Sequence, residues 1–412
     1  MSSFSISLSG LLADEEDLNV ISNNLANLNT VGYKGESVQF QDLFYQEMGT
    51  NGTGDPIQVG VGTGVGSTSA DFTQGTIEST GLDTDLAIQG DGFLQVTQGD
   101  MTLYTRNGDL SINSQGYLVT SDGSEVMGYA AVNGVVSATG ALGPLQINNG
   151  QTSPPQATSN MTLAANLDAG ANVGDTYTSS MVVYDSLGTS HVLTFNFAKT
   201  GANSWSYQIT IPAADVGQTG SDVTLNSGTL AFDGNGNLLT PAKDVSGITV
   251  TGLADGASNL SLTWNLYGSN GSSEVTQLAG QSATTSNQQN GYAAGSLTGF
   301  TIGTDGTIVG QFTNGQPMSL GMIALAIFPN SQGLLRTGSN NFMASLASGL
   351  PTVGAPGTGG RGTIADASLE SSNVDIATQF AQLILAERAY QANTQAITTA
   401  DNLLQDAINL IH

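Results

Sequence analysis

Apolar residues near both ends of the chain recur every seven positions, whereas the long segment between the ends shows no such repeat. Near the N-terminus, Phe4, Leu11, Leu18 and Leu25 hold one phase. A seven-residue apolar repeat is typical of helices that pack together in a coiled coil. The pattern therefore predicts a helix from about residue 3 to about residue 28.

The C-terminal repeat holds one phase from Ile376 to Ile411 and predicts a second, longer helix. Ser371 or Ser372 is its predicted N-cap, with Asp375 in the first turn. Both stripes could pack in an ordinary helical bundle, but two helices alone leave apolar surface uncovered. We therefore predict an assembly interface made of Phe4, Leu11, Leu18, Ile21, Leu25, Leu28, Ile376, Phe380, Leu383, Tyr390, Ile397, Leu404, Ile408 and Ile411.

Between about residues 70 and 360 the pattern changes to short apolar runs bounded by glycine, asparagine, aspartate and serine. The alternation of His191, Leu193, Phe195 and Phe197 with other residues has the period of two that is typical of a strand. The predicted fold class is mainly β with terminal α-helices. We expect a nested multidomain architecture, in which paired coiled-coil-like helices accompany two β domains of barrel or sandwich character.

Glycine-rich stretches at Gly49–Gly66 and Gly349–Gly362 lie at matching distances from the two ends and are interpreted as connectors. Polar stretches near residues 151 and 290 indicate a second pair of boundaries. The predicted plan has a terminal helical coiled-coil domain (1–29 and 372–412), connecting segments (30–70 and 360–371), an inner β domain (71–150 and 291–359) and an inserted outer β domain (151–290).

Charge and composition exclude several classes of function. The chain has 7 Lys and Arg against 33 Asp and Glu, and its formal net charge is −26. Nucleic acids and anionic membrane surfaces require clustered basic residues, so neither is an expected partner. The absence of cysteine excludes disulfides and thiolate chemistry. The first lysine is Lys34, so a basic segment does not precede the first apolar positions, and we expect neither a cleaved secretory signal nor membrane insertion.

The sequence contains only weak matches to motifs for ligand binding or catalysis. The alternating glycines of Gly60–Gly66 do not have the spacing of a phosphate-binding loop, and Asp233–Asn237 begins like a calcium loop but is interpreted as a turn. A Ser-His-Asp site would have to use His191, because the other histidine is His412. The place of His191 on a strand face indicates a structural role. We expect no catalytic residue, no cofactor and no metal.

Three segments carry a family resemblance. The first runs from Ser9 to Lys34 and contains ISNNLAN at 21–27, and the second runs from Gly362 to Asn393 and contains LESSNVD at 369–375. They resemble the N-terminal and C-terminal signatures of flagellar rod and hook proteins. A third segment, from Gln74 to Gly108, includes LAIQGDGF at 86–93 and is also similar. Two departures are modest: Ala365-Asp366 lacks a glycine often present there, and Glu387 replaces an expected glutamine.

The insert at 151–290 favours the hook members of this family, because rod members are generally shorter. Val183–Gly188 resembles a hook motif, and Gly321–Phe328 resembles the second piece of the hook inner domain. The resemblance implies a structural subunit that assembles into a curved tubular universal joint and transmits torque from rod to filament. It implies terminal helices that line an inner tube, β domains that form outer shells, and no cofactor.

By the same resemblance, the partners are further copies of the chain, rod proteins, hook–filament junction proteins, the hook cap and the flagellar type III export apparatus. The resemblance implies an extracellular position in the flagellum after export without a cleaved signal peptide. Two other readings stay open. A distal rod protein would share the terminal signatures, and a secreted β-rich adhesin would explain the glycine and threonine content but not the paired heptads. A hydrolase is disfavoured because a catalytic constellation is missing.

Overall fold

The computed structural model describes residues 2–148 and 150–409. A long helix lies at each end of the described chain: α1 spans Ser2–Ala26 and α2 spans Ile376–Asn409. Both helices agree with the heptad prediction, and the rest of the chain is mainly strand, so the predicted fold class is confirmed. The chain divides into two compact units: unit 1 comprises residues 1–149, 300–310 and 318–412, and unit 2 comprises residues 150–299 and 311–317.

The predicted N-cap of α2 was wrong. Asp375, and not Ser371 or Ser372, caps the helix, since its Oδ1 accepts the N–H of Thr378 at 2.7 Å. The serines are unavailable because the preceding residues are still in strand pairing: the Ser371 N–H donates to the carbonyl of Thr76 at 2.8 Å. An aspartate at this position also interacts favourably with the positive end of the helix dipole.

The segment after α1 forms two antiparallel hairpins, although residues 30–70 were predicted only as a connecting segment. β1 (Glu36–Asp42) pairs with β4 (Thr63–Ala70). Between them, β2 (Tyr45–Thr50) pairs with β3 (Pro56–Gly60). The alternating glycines lie largely within these strands, where they occupy every second position and leave Val59 and Val65 as exposed side chains.

The main sheet of unit 1 is built first from short strands that follow the hairpins. β7 is central, with β8 on one side and β11 on the other, both antiparallel. The strands of the main sheet in this part of the chain are β7 (Phe93–Gln98), β8 (Met101–Thr105), β9 (Leu110–Ile112), β10 (Leu118–Thr120), β11 (Glu125–Val132), β12 (Val135–Val136) and β13 (Leu142–Pro144). Two earlier strands, β5 (Ile77–Ser79) and β6 (Leu86–Gln89), lie outside the main sheet and pair with strands near the end of the chain.

Unit 2 is a sandwich of two five-stranded sheets. One sheet has the order β16-β17-β18-β19-β20; the other has the order β21-β22-β15-β23, with β24 also paired to β15. The strands of the two sheets are β15 (Asn160–Asn166), β16 (Thr176–Tyr184), β17 (Ser190–Gly201), β18 (Ser204–Ile211), β19 (Val223–Phe232), β20 (Leu238–Thr240), β21 (Val245–Val250), β22 (Leu260–Asn265), β23 (Val275–Thr276) and β24 (Ala283–Gln289). Two further strands, β14 (Thr152–Ser153) and β25 (Gly295–Ile302), pair with each other and belong to neither of these sheets.

The core of unit 2 joins the two sheets through aromatic rings. Phe195 of β17 meets Trp264 of β22 edge-on, with ring centroids 5.2 Å apart, and both side chains are fully buried. Alternate residues of β17 face this core, which confirms the period of two predicted for His191, Leu193, Phe195 and Phe197. Unit 2 therefore satisfies its apolar strand faces within itself.

The chain then returns to unit 1. β27 pairs with β11, β28 with β7, and β30 with β8. β32 and β33 pair with the early strands β6 and β5, directly before α2. The strands are β26 (Thr307–Phe312), β27 (Met318–Ile323), β28 (Leu325–Ile327), β29 (Leu335–Gly338), β30 (Asn341–Met343), β31 (Thr352–Gly354), β32 (Thr363–Asp366) and β33 (Ser368–Glu370). The two ends of the chain are thus brought together within unit 1.

Candidate assembly interface

α1 and α2 pack against each other in antiparallel directions. Asn24 Nδ2 donates to Gln379 Oε1 at 3.2 Å, and near the middle of both helices Asn393 Nδ2 donates to Asp14 Oδ2 at 2.7 Å. A Cβ on Gly10 would lie 2.8 Å from Asn393 Nδ2, so glycine permits the close approach there. The seam, which is the contact between α1 and α2, is thus fixed in register by polar side chains at one end and near its middle.

The predicted interface residues fall into three groups by exposure. Ile21 alone among them is buried within the described seam. Half-buried are Leu11, Leu18, Leu25, Leu28, Leu383, Tyr390 and Ile397. Exposed are Phe4, Ile376, Phe380, Leu404 and Ile408. Ile411 lies outside the described residues.

The seam also contains residues that are not among the predicted interface residues. Buried side chains there include Ala13, Val20, Asn24 and Ala386. Further exposed apolar side chains on the helices are Leu8, Leu12, Ile384, Leu385 and Leu403. Spacings of three or four residues would have identified them, because residues three and four apart share a helix face.

The inner hairpin of β2 and β3 carries a second exposed apolar surface. Phe44 is 92% exposed and Met48 is 70% exposed, and Tyr45 and Ile57 are also exposed. Large apolar side chains grouped in this way mark protein interaction sites. Sequence analysis missed this surface because it assigned no strand to the segment.

The acidic run Asp14–Asp17 lies on α1, and its members differ in exposure. Glu15 and Glu16 are exposed, whereas Asp14 and Asp17 are half-buried. Burial raises the pKa of Asp17, and the neighbouring charge of Asp14 raises it further. Asp14 contributes to the seam through Asn393, so the run is not a uniformly solvated face.

A buried ion cluster, made of Lys34, Arg106 and Glu370, lies in unit 1 where the two chain ends meet. Lys34 Nζ is 2.6 Å from Glu370 Oε1, and Arg106 Nη1 is 3.4 Å from Glu370 Oε2. Lys34 and Glu370 are fully buried and Arg106 is 3% exposed. Burial lowers the pKa of Lys34, and the hydrogen bond to Glu370 opposes that shift.

Backbone groups complete the ion cluster. Glu370 Oε1 accepts the N–H of Gly75 at 2.9 Å, and Lys34 Nζ donates to the carbonyl of Thr73 at 2.7 Å. A Cβ on Gly75 would lie 2.0 Å from the carbonyl oxygen of Ser371, so only glycine fits. Each of the three segments with a family resemblance contributes to this cluster. It therefore gives a physical reason for their sequence motifs.

Asparagines connect the helices to the strands. Asn24 Oδ1 accepts the N–H of Glu36, and Asn24 Nδ2 donates to the carbonyl of the same residue at 2.8 Å. Asn373 Oδ1 accepts the N–H of Gly35 at 2.8 Å, and its Nδ2 donates to the carbonyl of Asp71 at 2.8 Å. The helix pair is consequently anchored at one end to the β part of unit 1. Among the residues that the structure describes, no helix is both long and apolar enough to span a membrane.

Four family descriptions match successive parts of the chain. "Flagella basal body rod protein" matches residues 4–34, and "Flagellar hook protein FlgE/F/G D1 domain" matches 87–166. "Flagellar basal body protein FlaE D2 domain" matches 156–292, and "Flagellar basal body rod FlgEFG protein C-terminal" matches 365–410.

The chain is also similar over nearly its whole length to proteins named flagellar hook protein FlgE. It is 32% identical to that of Escherichia coli (strain K12), with 99% of each chain covered. It is 34% identical to that of Borreliella burgdorferi, with 98% of each covered. The crystal structure of Helicobacter pylori FlgE2 shares the fold with a TM-score of 0.50 at 15% identity, covering 71% of this chain and 100% of that one. These likenesses favour the hook interpretation over the distal rod and adhesin alternatives. The chain belongs to the flagellar hook protein FlgE family.

Proposed function

We propose that this protein is the structural subunit of a flagellar hook, which polymerises into a curved tube and transmits torque as a universal joint. The observation that carries the proposal is the exposed apolar surface of the helix pair, exemplified by Phe380 at 50% and Leu385 at 69% exposure. Two helices cannot cover this surface themselves, and burying it against neighbouring copies would stabilise a polymer. A single antiparallel pair of this size gains stability mainly from such packing.

We propose that each predicted domain forms a different layer of the tube. Residues 1–29 and 372–412 would line an inner tube, 71–150 and 291–359 would form an inner shell, and 151–290 an outer one. The self-contained core of unit 2 supports an outer position, because a unit with a buried core needs no neighbour to fold. The exposed inner hairpin, within the segment 30–70, would contact an adjacent subunit.

The partners and the location follow from family membership. We propose contacts with rod proteins, hook–filament junction proteins and the hook cap, and export through the flagellar type III apparatus without a cleaved signal. The protein would then lie outside the cell. We propose a structural and not an enzymatic role, since hook-family members are named for the structure that they build.

The proposal is tested with the double variant Phe380→Asp/Ile384→Asp, which adds charges to the exposed face of α2. Burying an unpaired charge costs several kcal/mol, so polymerisation should fail while the monomer folds as before. Gln218→Asp/Thr219→Asp is the control, because it adds two charges at exposed polar positions that lie outside both helices. Sedimentation and electron microscopy detect tubes, and circular dichroism shows whether the monomer is folded. Normal tubes from the Phe380/Ile384 variant would disprove the role of this face.

A further inference from the structure

His191 lies on β17 in unit 2 with a carboxylate against each nitrogen of its ring. Nε2 is 3.2 Å from Asp185 Oδ2, and Nδ1 is 3.1 Å from Asp215 Oδ2. His191 is 5% exposed and Asp185 is fully buried. Water therefore has little access to this contact, and the ring must satisfy both nitrogens with the groups around it.

Three loops of unit 2 bring the groups together. Asp185 follows β16, and its Oδ1 accepts the N–H groups of Leu187 and Thr189 at 2.8 and 2.9 Å, which fixes the carboxylate with Oδ2 toward the ring. The carbonyl of Asp215 accepts the N–H of Ala254 at 2.9 Å and so holds the loop that carries Asp255. A carboxylate oxygen of Asp255, one of Asp185 and a ring nitrogen of His191 lie within 4.8 Å of one another.

The number of protons on the ring decides what these contacts mean. A neutral imidazole donates from one nitrogen and offers a lone pair at the other. If Nδ1–H donates to Asp215, Nε2 carries no proton and its lone pair faces carboxylate oxygens. Those oxygens are also acceptors, so no hydrogen bond forms between them and Nε2. Histidines that bind metals show this arrangement: one nitrogen donates to a carboxylate that orients the ring, and the other faces the ion.

We propose that His191 Nε2, Asp185 and Asp255 bind a divalent cation, with Asp215 as the positioning residue for the imidazole. One imidazole nitrogen and two carboxylate oxygens are ligands that suit Zn²⁺ or Mn²⁺. The bound ion would join the loops at 185–189 and 253–257 beside the short 3-10 helix Ala213–Val216 and stiffen this part of unit 2. Sequence analysis led to the opposite expectation, because His191 was considered without the three aspartates that the fold places around it.

The experiment uses the full-length monomer after EDTA treatment and desalting, with ZnCl₂ as the probe. Calorimetric titration should show one saturable site, and excess Zn²⁺ should raise the Tm, because an ion that binds only the folded state stabilises it. Asp255→Asn changes an exposed side chain, so it should fold as the parent does but lose most of the affinity. Asp215→Asn should weaken binding by about 10- to 100-fold, as loss of an orienting partner does. Asp222→Asn, an exposed carboxylate of the same unit, is the matched control and should bind as the parent does.

Two results would overturn the proposal. One is the absence of saturable Zn²⁺ binding by the folded parent chain, which would mean that the ring only forms hydrogen bonds with the aspartates. The other is equal binding by the parent, Asp255→Asn and His191→Gln, which would place the ion elsewhere. The measurement is made on monomer, so its outcome does not depend on whether the chain polymerises.

Discussion

The helix pair of unit 1 and the sandwich of unit 2 use apolar residues in opposite ways. In unit 2 the large side chains of Trp205, Trp264 and Phe195 are at most 1% exposed. In α2, by contrast, Ile384, Leu385 and other large side chains are more than half exposed. Apolar side chains are closely packed in unit 2 and exposed on the helix pair. This contrast fits the proposal that unit 2 stabilises the subunit and that the helix pair contacts neighbouring subunits.

The largest expected effect comes from removing one helix. Deletion of residues 376–412 should abolish polymerisation altogether, because it removes half of the seam and most of the exposed apolar helix surface. Unit 2 should keep its unfolding transition, since its core contains no residue of α1 or α2. Electron microscopy shows whether tubes form, and differential scanning calorimetry measures the unfolding transition of unit 2. Tubes of normal diameter, or loss of the unit 2 transition, would break the contrast between the two regions.

The next largest effect is expected from a substitution in the ion cluster that anchors the helices. Glu370→Gln leaves Lys34 and Arg106 buried without the carboxylate that neutralises them, and breaking a buried pair in this way costs about 3–5 kcal/mol. We expect unit 1 to lose about that much free energy of unfolding. Glu387→Gln is the control, because Glu387 is exposed on α2, and it should change the free energy little. Equal losses in both variants would show that the cluster has no special role.

These features differ in how far the sequence could predict them. The helices and β17 were predictable because periodicity is a local property of the chain. The ion cluster was not, since Lys34 and Glu370 are 336 positions apart and each, by itself, is an ordinary charged residue. Asn24 and Asn393 were missed because a search for apolar repeats passes over polar residues in a seam. The hairpins were missed because alternating glycines are also typical of flexible connectors.

A smaller effect comes from removing one methylene group in each region. Ile209→Val should lower the free energy of unfolding by about 0.5–1.5 kcal/mol, because Ile209 is fully buried in unit 2. Ile384→Val makes the same change on α2, where the side chain is 57% exposed, and should leave the monomer nearly unchanged. Denaturant unfolding measures both variants. If Ile384→Val destabilises the monomer as much as Ile209→Val does, the α2 face is already packed within the subunit.

The same pair can be compared in the polymer. There Ile384→Val should lower the temperature at which tubes depolymerise, since every subunit loses a methylene group from a buried contact. Ile209→Val should leave that temperature nearly the same as long as unit 2 stays folded. If Ile209→Val lowered the depolymerisation temperature more than Ile384→Val did, the contacts between subunits would lie in unit 2.

The smallest expected effect concerns the start of α2. Hydrogen bonds from the hydroxyl and the N–H of Thr378 hold the pKa of Asp375 below its usual 3.8. The ionised carboxylate is therefore favoured by the folded helix, and its contribution is present above pH 3.8 and is lost as the pH falls through the lowered pKa. Asp375→Ala should speed amide exchange several-fold in the first turn of α2 at pH 6, because the cap is removed. Asp375→Asn should retain most of the protection, since an amide oxygen also caps. The difference between parent and alanine variant should shrink as the pH is lowered toward 3, and a difference that does not change with pH would show that the charge contributes nothing to the cap.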